Sequence, residues 1–244
     1  MLATRALSAE ASVAAITIRK RHPTWIFWLV TTDGLVAPWR DTTHAAFDNV
    51  IGLQALAVHT AGVTGNDCKH GRGVRRIGSA FRAIFEHGAD LAMLVNPHHV
   101  WFANLPVDPV LSGAAQFVCF FDDFVPLQSD VCGSVALLGL ERGADIEQVV
   151  AQAAINARSN PVPPRTPSGV IGLSACGMQR HPARFDVDGQ LRWGSHTVRS
   201  VNFSNLPMSE AERSAVDTTW LELRRWYRQE LSRFGSYVPD KTSK

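Results

Sequence analysis

The segment from Gly65 to Ser79 reads Gly-Asn-Asp-Cys-Lys-His-Gly-Arg-Gly-Val-Arg-Arg-Ile-Gly-Ser, and its residue types are those that hold anions. Between Gly62 and Gly88, Lys69, Arg72, Arg75, Arg76 and Arg82 stand against Asp67 and Glu86 alone. The whole chain has a formal net charge of only +2, so the rest of it is close to neutral. Glycines let a backbone approach a ligand closely. The free N–H groups at a helix N-terminus favour negative charge, and the arginine fork matches phosphate oxygens. Lys69, His70, Arg72, Arg75, Arg76 and Arg82 are therefore expected to bind an anion, with phosphate or a nucleic-acid backbone as the natural ligand. The segment is not a Walker loop: Gly73 and Gly78 are followed by Ser79 without a lysine, and no strand precedes them. The plainer alternative is a solvated loop whose arginines pair with carboxylates elsewhere. Arg19-Lys20-Arg21-His22 extends the patch if the fold brings it near.

A second group is acidic. Phe117 to Phe121 is an apolar run ending in Asp122 and Asp123, and Asp33 closes another such run from Thr24. Hard cations take oxygen ligands, and carboxylates at neighbouring sheet edges can hold Mg²⁺ for phosphodiester cleavage. Asp33, Asp122 and Asp123 are the weak metal candidates. Asp33-Gly34 serves equally as a hairpin turn, and no third ligand, whether Glu86 or Asp48, follows from spacing.

Sulfur and imidazole chemistry is less defined. Cys68-x-His70, His98-His99, His44 and His59 lack the paired spacing of zinc modules. Cys68 beside Lys69, His70 and Arg72 has cationic neighbours that favour a thiolate if it is exposed, whereas Cys119 sits in an apolar strand. Gly172-Leu173-Ser174-Ala175-Cys176 breaks the nucleophile-elbow pattern at its last residue. Exposed aromatics beside basic residues can stack on bases; most here are core, and Trp39 beside Arg40 and Trp193 beside Arg192 are the ones whose context permits exposure.

The elements that must position these groups follow from periodicity. Thr24 to Val30 reads as a strand that turns at Asp33-Gly34 into a partner over 35–39. Phe47, Val50, Ile51, Gln54, Val58 and Ala61 recur at helical spacing, capped by Thr42 or Thr43 and stopped by Gly62. Residues 62–76 read as a loop, followed by a short helix from Ser79 to Gly88. Strands are expected over 91–95, 100–104, 115–121 and 134–140, with Pro97 at the second position of a tight turn. Asp145 opens a helix that Pro161 closes.

Four prolines fall within 161–167, a stiff segment unsuited to helix or central strand. Strands over 170–175, 183–187, 190–193 and 198–203 follow, with Asp188-Gly189 as a hairpin turn. A long C-terminal helix, with Ser209 and Glu212 as a capping box, carries Val216, Trp220, Leu223, Tyr227, Leu231 and Phe234 as one stripe. Its Arg224, Arg225, Arg228 and Arg233 follow the helix dipole and need no ligand.

Strands in groups separated by helices, without regular alternation, predict an α+β fold: a mixed or mostly antiparallel sheet with about four helices packed on it. The expected organisation is a main lobe over 1–160, a linker or loop over 161–169, and hairpins plus the long helix over 170–244, packed as one body.

The length of 244 residues suits one large or two small domains, and 45% apolar with 19% charged residues excludes a disordered or collagen-like chain. Four cysteines without a C-x-x-C pair suit reduced thiols. The basic run at 19–21 follows the apolar N-terminal stretch, the wrong order for a secretory signal, and no stretch is apolar enough for a membrane span. A cytoplasmic protein with no membrane partner is expected. Three functions remain open. The first is binding of nucleic acid or phosphate, with Mg²⁺-dependent phosphodiesterase activity if the aspartates converge. The second is a non-catalytic subunit that binds a protein partner. The third is an enzyme for a small phosphorylated or carboxylated substrate.

Overall fold

A computed structural model describes residues 1–3, 7–31, 46–53, 69–105, 119–121, 135–146, 148, 173, 182–203 and 218–234. Strands β1 (Leu2–Ala3), β2 (Trp28–Thr31) and β3 (Asn49–Gly52) form a parallel sheet in the order β1-β2-β3. Parallel neighbours need a crossover, and α1 (Ser8–Arg19) supplies it between β1 and β2. Ala9, Ala11, Ala14 and Ala15 have no exposed surface, so this helix is covered on several sides. Its buried hydroxyls are satisfied locally: Ser12 donates to the Ser8 carbonyl and Thr17 to that of Ala14, both at 2.8 Å.

Two expectations for this region are corrected. At Val30 and Thr31 both edges of β2 are taken by parallel partners, so the expected hairpin is not how this strand is paired; 35–39 lies outside the described residues. The helix expected from Thr43 to Ala61 is interrupted by β3, paired Trp28↔Asn49 through Thr31↔Gly52. Val50 and Ile51 are β-branched and suit a strand between covered faces, where an apolar run has no period to distinguish it from a helix. The Asp48 carboxylate accepts the Phe27 N–H at 2.7 Å and the Arg19 guanidinium at 2.9 Å, which fixes the start of β3.

Helix α2 spans Lys69–Glu86, 18 residues. The expected loop over 62–76 is thus corrected from residue 69 onward. Glycines at 71, 73 and 78 each cost about 1 kcal/mol in a helix, but tertiary burial outweighs them. Ile77, Phe81 and Phe85 pack on Ala92, Leu138 and Leu140, while Ala80 and Ile84 meet Val30 and Leu53. The helix stops where expected, at Gly88, whose φ of +98° is left-handed.

The apolar stripe of α2 lies on a second, antiparallel sheet of β4 (Leu91–Val95), β6 (Cys119–Phe121) and β7 (Val135–Glu141), ordered β4-β7-β6. After β4 the chain turns as expected: the His99 N–H donates to the Asn96 carbonyl at 3.1 Å across Pro97-His98. Strand β5 (His99–Trp101) then pairs with β11 (Ser200–Asn202). Leu173 bridges to Val201 beside them. A meander of β8 (Ala183–Phe185), β9 (Leu191–Trp193) and β10 (His196–Thr197) turns at Asp188-Gly189, where Gly189 has φ +72°.

Helix α3 (Thr218–Arg233) buries Trp220, Leu223 and Tyr227, the middle of the expected stripe. Phe203 stacks on Trp220 and Tyr227 at 5.2 and 4.2 Å. Val13 of α1 belongs to the same cluster.

The single sheet with about four helices is therefore corrected. The described residues form four small sheets, three of three strands and one of two, and three helices have described spans. A strand's own pattern tells which faces are covered and nothing about which segment lies beside it. Of the expected fourth helix only the start is described, where Asp145 Oδ1 accepts the Gln148 N–H at 3.0 Å. The proline segment 161–169 and the capping box at Ser209 lie outside the described residues.

Three substitutions test this packing by chemical denaturation. Phe81→Ala should cost about 3–5 kcal/mol, against less than about 0.5 for Val187→Ser, at a fully exposed residue. Tyr227→Phe should leave stability unchanged or raise it by about 1 kcal/mol, because the buried phenol oxygen has no hydrogen-bond partner among the described residues. A clear loss would show that the hydroxyl is bonded.

Candidate anion-binding surface

Helix α2 puts its cations where burial leaves room. With Ile77, Phe81, Ile84 and Phe85 turned to the sheets, Arg76 and Arg82 are exposed. At 3.6 residues per turn, positions 72 and 75 share the side of Arg82, opposite Ile77 and Phe81. Position 70 is one heptad before Ile77, on the inner side of the helix. By helical spacing alone, positions 72, 75, 76 and 82 fall along one side, position 69 at its flank and position 70 across from them.

The charge order along α2 runs against its own dipole. Its first turn contains no acidic residue and its last turn no basic one, while Lys69 and Arg72 stand near the N-terminus and Glu86 ends the helix. Cations at an N-terminus cost a few tenths of a kcal/mol each. Helix stability therefore gives no reason for these residues, in contrast to α3, which carries Arg233 in its last turn.

Arg19, Arg21 and Arg192 have evident structural tasks. Arg19 pairs with Asp48 at 2.9 Å and lies 4.4 Å from the Phe27 ring centre. Arg21 donates to the Thr17 and Phe102 carbonyls at 2.9 and 2.7 Å, and His22 Nε2 accepts the Leu105 N–H at 3.2 Å. Arg19, Arg21 and His22 are thus tied into the fold, while Lys20 is exposed. Arg192 bonds Asp186 at 2.9 Å and Thr197 at 2.7 Å, and the half-buried Trp193 packs against the α3 cluster. Arg76 makes no ion pair among the described residues.

The remaining candidates divide by position. Asp33, Asp122, Asp123, Cys68, His44, His59, Trp39 and Arg40 lie outside the described residues. The strands before the aspartates, β2 and β6, belong to different sheets. Among the described residues no three His, Cys, Asp or Glu side chains form a group that could hold a metal.

His98-His99 leads instead to a polar layer that sequence reasoning missed. His99, Ser200 and Asn202 are buried on the β5–β11 pair, and His99 Nδ1 lies 3.4 Å from Ser200 Oγ. The pairing joins segments a hundred residues apart, and no local pattern announces it. His99 and Ser200 have no exposed surface, so the pair is structural, with no open path for a substrate. Burial, with a smaller push from His98, lowers the His99 pKa to about 3.

His99 is neutral in the fold, but its unfolded-state pKa is near 6.5. Acid therefore favours the unfolded chain between those values. Burial also lowers the pKa of His98 and His22, with the same sign. Stability should fall by up to about 1.4 kcal/mol per pH unit for this one site as the pH drops below 6.5. Denaturation midpoints from pH 7 to 4 measure the slope, which His99→Gln should flatten.

No helix among the described residues is long and apolar enough to cross a membrane. The chain matches no known protein-family model and shows no significant similarity to a curated protein.

Proposed function

We propose that this protein binds the phosphate backbone of nucleic acid through the outer side of α2. The observation that carries the proposal is the exposure of Arg76 and Arg82 on the side away from the buried stripe, on a helix whose charge order opposes its dipole. A polyanion along that side would set its phosphates against the exposed Arg76 and Arg82. Arginine forks bind phosphate oxygens in pairs, and a rigid helix fixes their spacing. The expected recognition is of backbone charge, with little dependence on base sequence.

The proposal concerns binding. Cleavage with Mg²⁺ on Asp33, Asp122 and Asp123 gains no support from the described residues, and a phosphorylated small molecule would use the same arginines.

Fluorescence anisotropy with labelled mixed-sequence DNA and RNA, from 20 to 200 mM salt, tests the reading. Affinity should fall steeply with salt, and Arg76→Ala and Arg82→Ala should each lower the log–log slope by about 1. Arg225→Ala, at an exposed position of α3, should leave the slope unchanged. Absence of binding at 20 mM salt would overturn the proposal, as would equal slopes for all three variants.

A further inference from the structure

A second candidate site lies at the C-terminal end of α2. A cavity of about 460 Å³ opens between the start of β2 and the α2–β4 turn. Trp25, Phe27, Trp28 and Met93 contribute to its wall, Ile26 lines it while remaining 67% exposed, and His87 supplies an imidazole. No Asp, Glu, Lys or Arg side chain among the described residues lines it. The volume falls in the range of small-molecule sites, which are mostly apolar with a few placed polar groups.

His87 is oriented by its own helix. Its Nδ1 is 2.7 Å from the Ala83 carbonyl. A carbonyl only accepts, so Nδ1 carries the proton and Nε2 of the neutral ring is left as an acceptor. The ring also meets Trp28 edge-on, with centroids 5.1 Å apart. His22 stacks on Trp25 at 4.0 Å and holds that indole in place. His22 and His87 hold two indoles in the wall, and no charged side chain of the described residues is there to offset an ionic ligand's hydration.

We infer that this cavity binds a small, uncharged aromatic molecule that donates one hydrogen bond to His87 Nε2. Trp25 and Trp28 supply ring contacts, Met93 a polarisable one, and Ile26 covers the mouth. The site is separate from the arginine side of α2 and does not depend on it.

1-Naphthol, naphthalene and 2-naphthoate serve as probes of one shape and three polarities. At ten times its Kd, 1-naphthol should raise the melting temperature by about 4 °C. It should bind about five-fold more tightly than naphthalene, a preference that His87→Phe abolishes, and 2-naphthoate should bind least. Ala89→Phe, which fills the cavity, should remove the shift for every probe. Methyl NMR of the unaltered protein gives a readout that survives a variant's failure to fold. 1-Naphthol should move the Ile26, Ile84 and Met93 signals and leave Leu191 and Val201, in the α3 cluster, in place. Failure of 1-naphthol to move the Ile26, Ile84 and Met93 methyls overturns the inference, as does retention of the thermal shift in folded Ala89→Phe. Tightest binding by 2-naphthoate would overturn the uncharged class.

Discussion

Burial of one stripe of α2 against two different sheets is the constraint on which the rest turns. Ile77, Phe81 and Phe85 need the β4–β7 surface, and Ala80 with Ile84 needs Val30 and Leu53. A helix held on both flanks cannot rotate without exposing aromatic surface, at about 25 cal/mol for each Å² returned to water. That fixes which side faces solvent, and so where Arg76 and Arg82 stand. It also sets the end of the helix beside β4, where the turn through His87 and Gly88 closes one wall of the cavity.

The glycines of α2 gain a different meaning from this packing. Read alone, Gly71, Gly73 and Gly78 mark a loop, since each weakens a helix. In the fold, Gly78 is buried beside Ile146, whose Cγ2 lies 3.7 Å from where a Cβ would sit. A Cβ there would meet Ile146 at an ordinary van der Waals distance, so this buried position would also take an alanine. What looks like flexibility in the sequence is, at Gly78, a buried helical position.

Charge is sorted by the same burial. Arg19, Arg21 and Arg192 are held by carboxylates or carbonyls at element junctions, and each has a structural partner that its sequence neighbours did not reveal. Asp48 lies 29 positions from the arginine it pairs with. The α2 arginines follow neither an element junction nor the helix dipole. His99 marks the opposite extreme, a titratable ring deep between β5 and β11 whose neutral form the fold enforces.

Local chemistry determined a good deal without tertiary help. The strand over 91–95, the Pro97 turn, the left-handed stops at Gly88 and Gly189 and the Trp220–Leu223–Tyr227 stripe were all legible, because each depends on steric rules or periodicity within a few residues. Partnership was not legible. Val50-Ile51 suits helix or strand until β2 lies beside it, α2 overrides its glycines only once two sheets cover it, and His99 meets Ser200 only through strand pairing. The sequence by itself therefore determined which residue types carry charge and which short segments turn or repeat. The tertiary structure decided which charges remain in water and which apolar walls enclose a cavity, because exposure and enclosure depend on neighbours far along the chain.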